Sequence, residues 1–361
     1  MKNKSIVKVL IGIVVISSLF IFFRQHKPET IQNIVSTTHQ QIQNFKDNLR
    51  DAETKTLVAD EKYLTLLGFT ESPRLYPNDI WKNTSLPVVV TYVMEGQESQ
   101  AVGLINNIVR VLPNNTILVY NLGLGNYGLK TLLNYCNNSR CQSLSFSLSD
   151  FPSHVDEENI RAYRPLVIQD ALQRTGAILF LECSYRFSKH LTHDLFMDLF
   201  EKRVKSQGIL TWPMTLKNPV SSLTHKKMFQ YFHTDAENFL FLQMVNADIL
   251  VIVNTDSVHN EIMLPWVQCA LTQDCIVPIG AQSAGCRFDK KPQYRYSGCH
   301  SYDTSALNII LGLKFNMDGS QYMYNESEKL FETVDLSKAE ALLREFEQNI
   351  TTEGRFLSFD T

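Results

Sequence analysis

The sequence predicts an α/β fold with a mostly parallel sheet flanked by helices, and two features of the chain indicate it. Short β-branched and aliphatic runs alternate with segments of helical periodicity, and the connections between them are short. Such alternation is typical of parallel sheets with right-handed crossovers. The second feature is Ala177–Leu181, an apolar run that indicates a strand buried on both faces.

The elements follow one another from Pro87 onward. The predicted strands are Pro87–Val93, Thr116–Tyr120, Leu144–Leu148, Ala177–Leu181, Ile209–Met214 and Asp248–Asn254. The predicted helices are Ala101–Leu112, Tyr127–Tyr135, Pro165–Thr175, His193–Val204, Met228–Leu242, Glu261–Leu271 and Thr304–Leu313. Gly280–Ser301 is a long loop, and a loop of that length in a compact domain is usually functional or cross-linked.

The central helix and strand carry the clearest local signals. Pro165 suits a first helical turn, because its missing N–H has no intrahelical partner there, and Gly176 is placed to end the helix. Beyond Leu181 the chain turns abruptly polar, with Glu182 and Ser184. Open α/β sheets bind ligands at the carboxyl ends of their strands, so the sequence predicts a site here.

Composition sets broad limits on the class of protein. The chain has 361 residues, of which 44% are hydrophobic and 20% charged, and this is the composition of a globular protein with a sizeable core. Its net charge is −3. A nucleic-acid partner would favour a basic chain, so we predict none.

The N-terminus predicts a membrane anchor. The apolar run Ile6–Phe23 follows Lys2 and Lys4 and is long enough to span a bilayer core of roughly 30 Å. A cleaved signal peptide is the alternative, although Arg24 and its neighbours do not resemble a cleavage site. The predicted organisation is a cytosolic tail at 1–5, a transmembrane anchor at 6–23, a stem or helical extension at 24–85, a lumenal domain at 86–330 and a C-terminal helical extension at 331–361.

Glycosylation acceptors and cysteines agree with a secretory compartment. Acceptor triplets begin at Asn83, Asn114, Asn137, Asn325 and Asn349. Of the seven cysteines, six sort into the neighbouring pairs Cys136 and Cys141, Cys269 and Cys275, and Cys286 and Cys299. Cys183 is left over in the buried strand end, so we predict three disulfides and one buried thiol. No spacing resembles a zinc site.

Three charged positions are candidates for ligand binding. Glu182 suits a divalent cation that bridges diphosphate oxygens, whereas its structural alternative is an ion pair with Arg186 or Arg164. Arg164 precedes the helix at Pro165, so its guanidinium and the free helical N–H groups suit one anion. Arg161 is the weaker candidate. Solvated positive charge at a helix start is the alternative for both arginines.

The segment CHSYDTSALN opens the last predicted helix and holds His300, Asp303 and Asn308. Asp303 suits binding of a sugar hydroxyl or a role as general base. Alternatively, Asp303 or Thr304 caps the helix. The chain contains no P-loop, no G-x-G-x-x-G fingerprint and no serine-hydrolase elbow.

Four pieces of the chain, in order, resemble an uncharacterised animal family of type II membrane proteins. They are TILVYNLGL, YRPLVIQDAL, ILFLECSYRF and CHSYDTSALNIIL, and the resemblance extends from Leu86 to Tyr324. That family is similar to glycosyltransferases of the GT-A fold, the nucleotide-diphospho-sugar transferase architecture with a Rossmann-like sheet. The last piece resembles the Asp-Gln-x-Ala-Leu-Asn element of sugar transferases, with Asp303, Ala306, Leu307 and Asn308 at the matching positions.

The resemblance implies a Golgi transferase that uses a UDP- or GDP-sugar, with Mn²⁺, and a glycan or glycoprotein acceptor. Our leading hypothesis for such a transferase assigns the metal or the donor ribose to Glu182 and the diphosphate to Arg164. It assigns the acceptor or transferred sugar to Asp303 and a contact with the leaving phosphate to His300. Ser184 stands where a second carboxylate is expected, and Asn308 and Arg161 complete the candidate donor site.

Two other functions remain open from the sequence. A catalytically inactive lumenal module that binds a glycan or a protein is favoured by the incomplete acidic pair at Glu182 and Ser184. A lumenal methyltransferase fits the β/α alternation but lacks the glycine-rich turn after its first strand. The sequence leaves open whether the protein forms a homodimer through its stem.

Overall fold

The computed structural model describes residues 16–17, 55–70, 73–78, 86–289, 291–325 and 329–353. The chain divides into two units, Met1–Lys55 and Thr56–Thr361, and all the strands and helices described below belong to the second. The predicted anchor at 6–23 and most of the predicted stem lie outside the described residues. Among the residues that are described, no helix has both the length and the apolar character needed to cross a membrane.

The described strands form one large and one small sheet. They are β1 (Val88–Val93), β2 (Ile117–Asn121), β3 (Cys141–Ser145), β4 (Ala177–Leu181), β5 (Tyr185–Phe187), β6 (Ile209–Pro213), β7 (Val245–Val253) and β8 (Phe331–Thr333). The large sheet has the spatial order β3-β2-β1-β4-β7-β6, and β5 pairs with β8. Strands β1 to β4 run parallel, whereas β7 is antiparallel to both β4 and β6.

Helices cover both faces of the large sheet. The longer ones are α1 (Glu61–Leu66), α2 (Glu98–Val111), α3 (Asn126–Tyr135), α4 (Tyr163–Thr175), α5 (His193–Leu199), α6 (Lys226–Tyr231), α7 (Leu264–Leu271), α8 (Tyr302–Lys314) and α9 (Leu336–Glu353). Shorter helical segments are Leu148–Asp150, Ser153–Asp156, Phe200–Val204, Lys205–Gln207, Val220–Ser222, Ala236–Phe239, Asp256–Val258, His259–Met263, Gln273–Ile276 and Gly319–Gln321. The predicted mixed α/β class, with a largely parallel central sheet and flanking helices, is confirmed.

Strand β4 shows how the core is built on both sides of this sheet. Ile178 and Phe180 pack in the cluster that contains α4, α7 and α8, whereas Leu179 and Leu181 pack in the cluster that contains α2 and α5. Every residue of β4 is buried, as the uninterrupted apolar run predicts.

The junction between α4 and β4 also follows the sequence. The helix begins at Tyr163, two positions before the predicted start, so that Arg164 lies in its first turn. Gly176 has a φ of 82° and its N–H donates to the carbonyl of Leu172 at 2.8 Å. A left-handed residue is the usual end of a helix, and glycine adopts it without steric penalty.

Several element boundaries differ from the predictions by a few residues; α2 begins at Glu98 and β7 at Val245, each three residues before its predicted start. Strand β3 begins at Cys141 rather than Leu144, since its pairing with β2 starts at the disulfide-bonded cysteine. The predicted helix Met228–Leu242 is wrong, because α6 ends at Tyr231. His233 has a φ of 51°, a left-handed backbone that the interior of a helix does not accommodate. The compact unit begins at Thr56, and Leu67 is part of its core.

The cysteines pair as predicted. Disulfides join Cys136 to Cys141, Cys269 to Cys275 and Cys286 to Cys299. Cys183 is a buried free thiol.

Candidate functional site

The candidate site lies where β4 ends and β7 begins. Leu181 pairs with Ile249 in the antiparallel register, and the next position places Glu182 opposite Asp248. The N–H of Glu182 donates to the carbonyl of Asp248 at 3.0 Å. Residues directly opposite one another in an antiparallel pair project to the same face, so two carboxylates lie together at this edge.

Arg164 lies among three carboxylates. Its Nη2 is 3.1 Å from Glu182 Oε1, its Nη1 is 2.8 Å from Asp248 Oδ1, and its Nε is 3.2 Å from Asp303 Oδ2. Two helices bring the third carboxylate to the arginine, because Arg164 belongs to the first turn of α4 and Asp303 to the first turn of α8. The arginine side chain has no solvent exposure, and its charge is therefore compensated entirely by these neighbours.

The contacts around Arg164 are ion pairs by distance rather than aligned hydrogen bonds. All three of its guanidinium nitrogens and Asp303 Oδ2 are buried without a hydrogen bond of good geometry. Attraction between opposite charges in a poorly hydrated environment is therefore the main force that holds this cluster together.

A second guanidinium covers the same carboxylates from the solvent side. Arg161 Nη1 is 3.2 Å from Glu182 Oε1 and 3.2 Å from Asp248 Oδ1, and its side chain is 44% exposed. Arg161 has a φ of 56°, and Tyr302, next to Asp303, has a φ of 43°. Left-handed backbone costs a non-glycine residue about 1–2 kcal/mol, and such positions cluster at functional sites.

Tyrosine hydroxyls complete the polar surroundings of the two neighbouring carboxylates. Tyr92, at the carboxyl end of β1, donates to Glu182 Oε1 at 2.5 Å. Tyr185 donates to Asp248 Oδ2 at 3.2 Å and accepts from Asn246 Nδ2 at 2.8 Å. These bonds fix the rotamers of Glu182 and Asp248 towards the arginines.

Burial controls the protonation of the acidic groups. Burial raises the pKa of Asp303 to about 7, against the opposing effect of Arg164. Burial and the nearby Asp248 also raise the pKa of Glu182. Burial by itself would lower the pKa of Arg164, but the carboxylates of Asp303 and Glu182 outweigh it and raise that pKa, so the guanidinium stays charged.

These charged groups line a cavity of about 550 Å³. Arg161, Arg164, Glu182, Asp248 and Asp303 all contribute to its wall. Another part of the wall comes from the third disulfide, Cys286–Cys299, and from Ser283 just before it. A volume of a few hundred Å³ is typical of small-molecule and cofactor sites.

Both ring nitrogens of His300 have polar partners within the protein. It lines the cavity, but its Nδ1 accepts from the N–H of His225 at 3.1 Å and its Nε2 lies 3.2 Å from the carbonyl of Ile276. Burial lowers the pKa of His300 to about 3, so the ring is neutral. The predicted contact with a leaving phosphate needs a ring nitrogen, and both already have partners.

Asn308 also has a structural position. Its Oδ1 accepts from the N–H of Val245, and its Nδ2 donates to the carbonyls of Val245 and Thr304, all at 2.8–2.9 Å. Asn308 thus connects α8 to the start of β7 by hydrogen bonds, and it is not among the residues that line the cavity.

Ser184, in contrast, does line the cavity. The capping alternative for Asp303 and Thr304 is wrong, since α8 begins at Tyr302 and no side chain caps it.

The residues present do not fit the metal ion that the resemblance implies. The three carboxylates converge on a guanidinium, which occupies the place that a cation between them would need. Throughout the part of the chain that the structure describes, no group of three or more His, Cys, Asp and Glu side chains is placed to hold a metal ion. The assignment of Glu182 as a metal ligand is therefore not supported by the geometry.

Sequence reasoning missed Asp248 and Tyr92. Asp248 is the one acidic residue of β7 and stands directly before its apolar run Ile249–Val253, and this was the available signal. Its position next to Glu182 depends on the antiparallel direction of β7, which the sequence does not reveal. Tyr92 gave no signal, because aromatic residues are common in buried strands.

A second cavity, of about 920 Å³, lies elsewhere on the described surface. Its lining includes Phe241 and Tyr294, whose rings are 6.1 Å apart, together with Lys217 and Lys291. None of the residues that line it carries a carboxylate or an imidazole, so the acid and base groups belong to the smaller cavity.

Comparison with known proteins gives structural similarities only. A scan against protein-family models and a search of curated proteins both find no match. Among solved structures, the bifunctional glycosyltransferase WbbM has a TM-score of 0.40 at 11% identity over 65% of this chain and 40% of its own. The glycosyltransferase GlyE of Streptococcus pneumoniae has a TM-score of 0.36 at 14% identity over 66% and 45%, respectively.

The mannosyltransferase Ktr4p of S. cerevisiae has a TM-score of 0.39 at 10% identity, over 73% of this chain and 80% of its own. The chain thus spans less than half the length of WbbM and GlyE. Similarity at this level establishes neither a shared fold nor a shared activity.

Proposed function

We propose that the protein is a glycosyltransferase of GT-A-like fold, which transfers a sugar from a nucleoside-diphosphate donor to a glycan or glycoprotein acceptor. The observation that carries the proposal is the cavity at the carboxyl end of β4, where Arg161, Glu182 and Asp248 meet. Open α/β sheets bind nucleotides at this edge. A donor brings a diphosphate that suits the arginine and hydroxyls that suit the carboxylates.

The proposed roles of the arginines, His300 and Asn308 differ from those that the sequence analysis assigned to them. Each guanidinium nitrogen of Arg164 already faces a carboxylate, so we assign the diphosphate to the half-exposed Arg161. Glu182 and Asp248 hold Arg161 in place, and Glu182 keeps its proposed contact with the donor ribose. His300 and Asn308 become positioning residues, because their polar atoms bind the fold itself.

Asp303 keeps its role towards the acceptor or the transferred sugar. With a pKa of about 7, it exchanges a proton near neutrality, as a general base must. In the transfer, an acceptor hydroxyl oxygen forms a bond to the anomeric carbon, while the bond from that carbon to the phosphate oxygen breaks. The nucleoside diphosphate leaves with the electron pair, and the hydroxyl proton passes to the carboxylate of Asp303.

The compartment in the proposal is the Golgi, with the chain as a single-pass type II membrane protein and its domain in the lumen. The five glycosylation triplets beyond the predicted anchor support this location, as does the apolar run at 6–23 that follows Lys2 and Lys4. The three disulfides support it as well, because such bonds persist in oxidising compartments.

One observation favours a second candidate, a catalytically inactive module that binds a glycan or a protein. Arg164 compensates the carboxylates within the fold, which is what a purely structural ion-pair cluster would do. The inactive module predicts ligand binding without release of nucleotide, whereas the transferase predicts slow release even without an acceptor.

The test uses the full-length protein with UDP-, GDP- and CMP-sugars and measures free nucleotide. We expect one donor to be hydrolysed, and we expect Arg161→Ala to reduce the rate by about 10- to 100-fold through loss of a charged hydrogen bond. Arg174→Ala is the matched control, because Arg174, like Arg161, pairs with an aspartate and is about half exposed, at 53%, but lies outside the cavity lining. Hydrolysis of no donor by folded protein contradicts the transferase.

A further inference from the structure

We infer that Arg164 is a built-in cation that replaces a divalent metal, so that the cavity binds the diphosphate of a nucleotide without any metal ion. This inference rests on the proposed function and deepens it. It concerns which charge stabilises the diphosphate, a question that the proposed transfer leaves open.

The geometry provides the first argument. Oxygen ligands hold a divalent ion at about 2.0–2.6 Å. In this site the oxygens of Glu182, Asp248 and Asp303 instead surround guanidinium nitrogens at 2.8–3.2 Å. Because Arg164 is wholly buried between them, a metal ion and the guanidinium cannot occupy the same space.

Charge balance provides the second argument. A metal site needs a surplus of negative charge, whereas two guanidinium groups offset two of the three carboxylates here. Asp303 carries the remaining negative charge, and its pKa of about 7 means that the charge is only partly present at neutral pH. The cluster therefore attracts a dication weakly.

Arg161 provides the third argument. Its Nη1 contacts Glu182 and Asp248, while 44% of the side chain remains exposed at the cavity. Guanidinium groups present several donors in a planar fork and bind phosphate oxygens in pairs. Arg164 thus neutralises the carboxylates that would otherwise repel a diphosphate, and Arg161 offers the direct contact.

The first experiment measures calorimetric binding of UDP and GDP to the full-length protein, in excess EDTA and in excess Mn²⁺. We expect the affinity for the preferred nucleotide to differ by less than about threefold between the two conditions. Arg161→Ala should weaken binding by about 10- to 100-fold in both, and Arg174→Ala should leave it unchanged.

The second experiment removes the internal cation. In Arg164→Ala the three carboxylates lose their shared partner, and Mn²⁺ alone should then stabilise the protein, raising its melting temperature by about 5 °C at saturation. The unsubstituted protein should show no such rise. If the variant does not fold, the EDTA comparison on the unsubstituted protein decides the question.

The outcomes separate this inference from the proposed function. Nucleotide binding that disappears in EDTA and returns with Mn²⁺ overturns the inference and leaves the transferase standing. A melting temperature of the unsubstituted protein that rises with Mn²⁺, and no longer does so in Asp248→Asn, also overturns it. Absence of nucleotide binding in both conditions, in protein shown to contain its disulfides, overturns the proposed function and the inference together.

Discussion

The backbone N–H of Glu182 donates to the carbonyl of Asp248 at 3.0 Å, and this bond sets two carboxylates side by side at one edge of the sheet. Isolated, they would repel each other in a buried site. Two arginines prevent this, since Arg161 and Arg164 each contact both of them. The pairing of β4 with β7 therefore produces a site in which the carboxylates of Glu182 and Asp248 hold two arginine side chains in place.

Removal of the central charge should be strongly destabilising. Arg164→Met leaves three carboxylates without their buried partner, and we expect a loss of about 3–5 kcal/mol in the free energy of unfolding, measured in urea. Lys202→Met breaks an exposed pair with Asp198 and should cost less than about 1 kcal/mol. Equal losses of unfolding free energy in the two variants would show that the buried cluster stabilises the fold no more than an exposed ion pair does.

The sequence predicted those parts of the fold that depend on local patterns. The apolar run Ala177–Leu181 is a strand with the predicted bounds, and Gly176 ends the preceding helix as its freedom at positive φ suggests. Nearness in sequence also identified the disulfides. The direction of β7 could not be predicted in this way, because a buried apolar strand has the same sequence pattern whether its neighbour is parallel or antiparallel.

The sequence indicated which segments form the candidate site but not how their side chains contact one another. Glu182, Arg164 and Asp303 meet as the motif positions suggested. The ion pair of Glu182 with Arg164 was the predicted structural alternative. Its extension to Asp248 and Asp303 could not be predicted, since the burial of Arg164 depends on the packing of α4 and α8 against β4 and β7. The same packing gave His300 and Asn308 partners in the fold that no pattern in the sequence indicates.

Stability should depend on pH through Asp303. Burial raises its pKa from 3.8 to about 7, so the folded protein binds this proton more tightly than the unfolded chain does. Its contribution is complete below about pH 4 and decreases as pH rises through about 7, by up to about 1.4 kcal/mol per pH unit. The raised pKa of Glu182 acts in the same direction, with Arg164 opposing both.

The measurement compares urea unfolding of the unsubstituted protein and Asp303→Asn across this pH range. The difference in unfolding free energy between them should change with pH, because the asparagine cannot titrate. A constant difference from about pH 5 to pH 8 would mean that Asp303 is ionised throughout and would remove the basis for its role as general base.

The hydroxyl of Tyr92 should contribute to the same cluster. Its bond to Glu182 Oε1 has a charged acceptor and is buried, so Tyr92→Phe should reduce the free energy of unfolding by about 1.5–3 kcal/mol. Tyr127→Phe, at a side chain that is 85% exposed, should change it by less than about 0.5 kcal/mol. A small effect at both positions would argue that Tyr92 does not hold Glu182 in place.

The disulfide between Cys286 and Cys299 should affect ligand binding as well as stability. It spans 13 residues, so replacing both cysteines with serine should cost about 3 kcal/mol of unfolding free energy. Both cysteines line the cavity, and release of their loop should weaken nucleotide binding. The bond between Cys136 and Cys141 provides the matched control, because it spans only 5 residues and lies outside the cavity lining.

Serine replacement of that control pair should lower stability while leaving the affinity for nucleotide unchanged. Calorimetry on both double variants, at a temperature where each is folded, separates the two effects. If both variants lost affinity equally, the weakening would reflect general loosening of the domain. If only the variant at Cys286 and Cys299 lost affinity, the wall that this loop provides would be part of the binding site, because the two variants differ in that wall and share the loss of a cross-link.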